Sequence, residues 1–66
     1  MKLVINGEEQ EFSNPLSVEG LLTTLQLDPT KVALERNLEI ISHSAYKTTA
    51  LQDGDQLEIV HFIGGG

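Results

Sequence analysis

A chain of 66 residues makes one small domain, and a domain of that size buries only about 60% of the surface its unfolded chain exposes. It has no cysteine, which excludes a disulfide framework, a thiolate metal site and any thiol chemistry of its own. Ten acids against four bases give a formal net charge of −6, which argues against nucleic acid and favours a partner with a basic surface.

No apolar run approaches the ~20 residues that span a bilayer. The opening "MKLVINGEEQ" lacks the apolar stretch of a signal peptide. Both features fit a cytoplasmic protein with no membrane partner.

In chain order, "KLVING" starts with period-two alternation: Met1, Leu3 and Ile5 share one face, Lys2 and Val4 the other. Asn6-Gly7 is a strong hairpin signal because both residues tolerate positive φ. "EEQEF" is then the returning strand, ending near Phe12. In "SNPLSVEGLLTTLQLDP", Val18, Leu21, Leu22 and Leu25 recur at helical spacing and form one apolar stripe. Ser17 is the expected N-cap, Glu19 sits in the first turn, and Asp28-Pro29 is the expected stop. "KVALERN" predicts a third strand and "LEII" a short fourth. "SHSAYKTTAL" predicts a loop or a short helical turn. Asp53-Gly54-Asp55 marks a tight turn, and "QLEIVHFI" is the last strand.

A hairpin, one helix and then strands predict an α+β domain, with a mixed sheet packed on that helix. The two terminal strands are apolar enough to be central, and as neighbours they would run parallel. Leu57 and Ile59 should face the helix with Leu3, Ile5, Leu21, Leu22 and Leu25. Alternation then sends Glu58, Val60 and Phe62 to the opposite face, which no second helix covers. An apolar pair left in water just before the tail reads as a docking patch, with Glu58 steering a basic partner.

Catalytic machinery is missing from the sequence. There is no phosphate-binding glycine loop with lysine and no zinc-ligand spacing. Asp53 and Asp55 lack the pattern of a calcium loop. His43 and His61 have no evident ligand companions, and the serines and threonines have no evident base beside them. The chain does not read as an enzyme.

The remaining feature is the run Gly64, Gly65 and Gly66 directly after an apolar strand. Three residues without Cβ can enter a channel too narrow for others. The chain thus divides into a domain over residues 1–63 and a reactive tail over 64–66. A carboxylate at Gly66 is ionised in the cell and a poor electrophile until activated. ATP can activate it as an acyl adenylate. A sulfur nucleophile would then leave a thiocarboxylate, and a lysine amine would leave a conjugated protein. A passive binding module whose glycines do nothing is the third reading.

The stretch "VALERNLEIISHSAYKTTALQDGDQLEIVHFIGGG" closely resembles the C-terminal half of the ThiS family, the sulfur carriers of thiamine (thiazole) biosynthesis. "INGE" and the "LL..L" helix fit the same family. The resemblance implies a β-grasp, ubiquitin-like fold with a flexible glycine tail. It implies adenylation of Gly66 by an E1-like enzyme, with Gly65 completing the diglycine. It further implies thiocarboxylation from a sulfur donor protein and delivery of sulfur to thiazole synthase. No cofactor of the chain's own is implied. Family members often carry a Pro-Arg pair and a tryptophan where this chain has Ser42-His43 and Tyr46. The sulfur carrier of molybdopterin synthesis resembles the chain at the diglycine, but it is usually longer.

Overall fold

The computed structural model describes residues 1–62. The chain opens with β1 (Lys2–Ile5) and β2 (Glu8–Glu11), paired antiparallel with Ile5 opposite Glu8. Asn6 and Gly7 close this hairpin with φ of 50° and 85°. Both values lie in the left-handed region that the Asn-Gly pair reaches at low cost, so the hairpin forms where the sequence places it.

Helix α1 covers Val18–Thr24. The Ser17 hydroxyl accepts the Gly20 N–H at 3.0 Å, so the cap is the residue expected. The helix stops earlier than the Asp28-Pro29 signal suggested. Leu25 is its C-cap, and Gln26 turns left-handed at φ 61°. Asp28 instead caps a separate 3-10 turn, Pro29–Lys31, by accepting from the Thr30 N–H and hydroxyl. Proline ended the pattern, but the chain had already left the helix one turn before it.

Strands β3 (Val32–Arg36), β4 (Glu39–Ile41) and β5 (Gln56–His61) complete a five-stranded sheet in the order β2-β1-β5-β3-β4. Between β4 and β5 lies a 3-10 turn, His43–Ala45. β1 and β5 are parallel neighbours near the middle, as their apolar character required, and the other pairings are antiparallel. Both sheet edges are guarded: β2 is a charged segment, and β4 is three residues long.

Val18, Leu21 and Leu22 of the helix are fully buried against Leu3, Ile5, Val32, Leu34 and Leu57. Each such aliphatic stabilises the fold by about 1.5–3 kcal/mol relative to leaving it in water. Leu25 and Ile59 pack at the margin of this core. Tyr46 and Leu51, from the segment read as a loop or a short helical turn, are buried with them, and the turn is the 3-10 stretch His43–Ala45.

Two asparagines hold β5 from either side. Asn6 Oδ1 accepts the Ile59 N–H at 2.8 Å, and Asn6 Nδ2 donates to the Ile59 carbonyl at 3.3 Å. Asn37 Oδ1 accepts the Gln56 N–H at 2.9 Å, while Asn37 N–H donates to the Gln56 carbonyl at 2.8 Å. Each side chain does the work of an adjacent strand where the real strand has turned away, at left-handed residues that only a few side chains tolerate. The strand that leads into the glycine tail is therefore fixed along both edges.

Candidate functional site

Because the core takes alternate residues of each strand, the other set is left on the sheet's outer face. Glu58 and Val60 of β5 stand there beside Ala33 and Glu35 of β3 and Ile40 of β4, in a register that pairs Ala33 with Val60 and Glu35 with both Glu58 and Ile40. Val60 is 58% exposed and Phe62 51% exposed. The predicted trio Glu58, Val60 and Phe62 thus lies in water, with Leu57 buried behind it.

Two members of this surface were not foreseen. Ile40 is 78% exposed and Leu38 91% exposed. The sequence "LEII" shows the apolar residues but not which strand they face; only the β3–β4 register settles that. Ile40, Ala33 and Val60 line a shallow hollow of about 260 Å³, walled by Glu35 and Glu58. A second, more polar hollow of about 130 Å³ lies on the other side of the same two glutamates, between the Asn6-Gly7 and Asn37-Leu38 turns.

The electrostatics are one-signed. Glu35 and Glu58 are direct cross-strand partners, an arrangement that destabilises a sheet when both carry the same charge. Neither belongs to an ion pair among the described residues, which pair Lys2 with Glu9 at 3.3 Å and the N-terminal amine with Glu11 at 4.0 Å. The face joins exposed aliphatic groups to two carboxylates that have no ion pair among the described residues. It suits a partner that brings apolar side chains and a cation.

Among the described residues no three His, Asp or Glu side chains converge as metal ligands, and no helix is long and apolar enough to cross a membrane. Asp55 is buried, but as a structural acceptor: its carboxylate takes the Asn37 amide at 3.0 Å and the Gln52 N–H at 2.9 Å. Burial pushes the Tyr46 phenol above its ordinary range while its hydroxyl donates to the Val32 carbonyl at 3.2 Å. His43 Nε2 meets the same carbonyl at 2.8 Å, and His61 is exposed on β5. The tail residues Gly64, Gly65 and Gly66 lie outside the described residues.

Comparison with known proteins agrees with this architecture. The model of the ThiS family matches residues 3–66. The chain is 40% identical over 65 residues to the "Sulfur carrier protein ThiS" of Bacillus subtilis, covering 97% of this chain and 98% of that one. It is 62% identical over 66 residues to a "Thiazole synthase" of Paramagnetospirillum magneticum, of whose length it spans 20%; a thiazole synthase of Magnetococcus marinus gives the same share at 47% identity. The crystal structure of the thiamine biosynthesis protein ThiS from Geobacter metallireducens superposes with a TM-score of 0.86 at 33% identity, over 100% of both chains. The five-stranded mixed sheet gripping one helix is the β-grasp fold, and the chain belongs to the ThiS family.

Proposed function

We propose that the chain is a sulfur carrier of thiamine biosynthesis, in which residues 1–63 form the docking domain and residues 64–66 the reactive tail. The reading rests on family membership across residues 3–66, together with near-complete coverage of a relative named as a sulfur carrier. The Gly66 carboxylate attacks the α-phosphorus of ATP on an E1-like enzyme, and pyrophosphate leaves. Sulfide-level sulfur, released by a donor protein as hydrosulfide, attacks the acyl carbon; the acyl C–O bond breaks, AMP leaves with that oxygen, and a thiocarboxylate remains. The thiocarboxylate then hands its sulfur to thiazole synthase. The chain is the substrate of each step and catalyses none, and it works in the cytoplasm.

The outer face is the docking surface in this reading. Val60 and Phe62, extended by Ile40, supply the apolar contact, and Glu58 with Glu35 attracts a basic partner. Support comes from exposure: large apolar groups remain in water beside the strand that feeds the tail. The presence of a similar 66-residue stretch, 62% and 47% identical, within two proteins named thiazole synthase also favours that partner.

Intact-protein mass spectrometry tests the chemistry. With ATP, the activating enzyme and a sulfur donor, the expected change is one oxygen exchanged for one sulfur. A branched peptide on a lysine would instead make the chain a protein modifier. A chain lacking Gly66 should keep its fold and lose adenylation, since the glycine buries no side chain. If it still accepts AMP, the terminal-carboxylate mechanism is wrong. Phe62→Asp should leave stability nearly unchanged and weaken binding to either enzyme by about 2 kcal/mol or more, the usual cost of removing a central aromatic. Normal binding by that variant would place the docking surface elsewhere.

A further inference from the structure

β4 stops at Ile41, two residues short of the place where its register with β3 would bring His43 opposite Val32. The chain leaves the sheet there for the 3-10 turn His43–Ala45. The Val32 carbonyl is nevertheless not left open. His43 Nε2 reaches it at 2.8 Å and the Tyr46 hydroxyl at 3.2 Å. A carbonyl only accepts, so Nε2 carries the proton in this contact. A side chain has taken the place of the missing strand.

The same histidine ring faces the end of β5. Its centroid lies 4.8 Å from the Tyr46 ring, tilted by 31°, and 6.4 Å from the Phe62 ring, tilted by 37°. Both spacings fall within the range in which aromatic pairs attract. Tyr46 is anchored in the core, while Phe62 is half exposed. Phe62 also makes the last backbone bond described before the tail, from its N–H to the Lys31 carbonyl at 2.9 Å. His43 therefore links a core-anchored ring to Phe62, two positions before the first glycine of the tail.

We infer that His43 is a positioning residue for the tail: stacked on the core-anchored Tyr46, its ring forms a bracket that holds Phe62 and so sets how the chain leaves β5. The inference rests on the sulfur-carrier reading, because the direction matters only if the tail must enter an activating site. Its consequence is a rate effect. A reacting carboxylate displaced by about 1 Å can lose on the order of a hundredfold in rate, without loss of docking elsewhere. The ring supplies the bracket and the Nε2–H supplies the seal on Val32, so two variants separate the parts. His43→Phe keeps the ring, and His43→Gln keeps a donor.

The test combines amide hydrogen exchange on the free carrier with steady-state adenylation by its activating enzyme. In His43→Ala the Phe62 amide should exchange about threefold to tenfold faster, the equivalent of one aromatic pair, while the Leu57 and Ile59 amides keep their protection. The adenylation kcat should fall about tenfold or more, while KM for the carrier rises less than in Phe62→Asp, because the Phe62 ring itself is kept. His43→Phe should restore both, and His43→Gln should restore neither. A rise in KM alone would make His43 a contact of the partner, and unchanged Phe62 exchange would mean no bracket exists; either overturns the inference. Wild-type carrier that takes no AMP would overturn the sulfur-carrier reading instead, with the exchange arm still deciding whether the bracket is real.

Discussion

Replacing Asp55 probes the junction on which the sheet depends. Its side chain is 8% exposed, yet it is the acceptor for two donors from different parts of the chain. Oδ1 takes the Asn37 amide at 3.0 Å, and Oδ2 takes the Gln52 N–H at 2.9 Å. Its own carbonyl accepts the Val4 N–H at 3.0 Å, so the residue ties the 52–55 turn to both β1 and the β3–β4 turn. A hydrogen bond to a charged group contributes about 1.5–3 kcal/mol. Asn37 and Gln52 are themselves exposed and can recover water, which reduces the loss. Asp55→Ala should therefore cost about 2–4 kcal/mol. A 66-residue domain has roughly 3–10 kcal/mol in total, so much of its stability depends on this carboxylate.

Asp55→Asn refines the test. One amide oxygen can still accept from one donor, but the amide nitrogen must then face the other N–H, so one bond becomes a donor–donor clash. The expected cost is about 1–3 kcal/mol at unchanged volume. Urea unfolding followed by circular dichroism gives the values, with the m-value expected to stay constant. Asn37→Gly serves as the partner in a double-mutant cycle, because glycine keeps the left-handed backbone at φ 51° and removes only the side chain. The coupling should be about 1 kcal/mol or more. A cost below about 0.5 kcal/mol for Asp55→Ala, the range of ordinary surface changes, would refute the role given to this network.

Leu22→Ala, at a fully buried helix position, should cost about 2–5 kcal/mol in the same assay and leave the variant marginal or unfolded at room temperature. Gly20→Ala sets the helix preference for alanine, about 1 kcal/mol, against a new Cβ lying 3.1 Å from Leu16 Cδ1 and 3.3 Å from the Ser17 hydroxyl. The hydroxyl is fixed by its capping bond, so the variant should lower the thermal midpoint, and by less in a Ser17→Ala background, where the contact with Leu16 remains but the one with the hydroxyl is gone. The Tyr46 phenol, raised by burial, makes a signed prediction with pH. A raised folded pKa means stability intact below the unfolded value near 10 and falling as pH climbs through the folded one. Tyr46→Phe should flatten that alkaline loss, and an equally steep decline in the variant would assign it to other groups.

Much of this fold was legible because its signals are local. Asn6-Gly7 specifies its turn by backbone chemistry alone, and the stripe at Val18, Leu21 and Leu22 has one period and one cap. Alternation in "QLEIVHFI" was enough to separate buried Leu57 from exposed Val60 and Phe62. What stayed hidden depends on contacts distant in sequence. The end of the helix at Thr24 follows from a left-handed Gln26, a residue with no intrinsic preference for that conformation. Ile40 reads as a core residue until its pairing with Glu35 is known. Tyr46 and His43 looked like loop residues because their shared acceptor, the Val32 carbonyl, is 14 and 11 positions away.

The outer face also explains why a stable domain retains arrangements that weaken it. Threonine at Val60 or Ile40 would suit an exposed strand, and a lysine opposite Glu58 would turn a repulsion into an attraction worth a few tenths of a kcal/mol. The chain has neither, although it places a well-formed Lys2–Glu9 pair on the neighbouring strands β1 and β2. The capacity for surface ion pairs is thus present and is not used where the sheet is most exposed. A face kept apolar and negatively charged costs stability in the free chain, and under the docking reading proposed above a partner that covers it would recover that loss as affinity. The cost is small per residue, but it is concentrated beside β5, the strand that two asparagines hold in place. Rigidity and exposure thus meet at the root of the tail. Under the proposed reading, a partner docking there would meet a fixed surface, so little of its binding energy would be consumed in ordering the strand that precedes the proposed reactive tail.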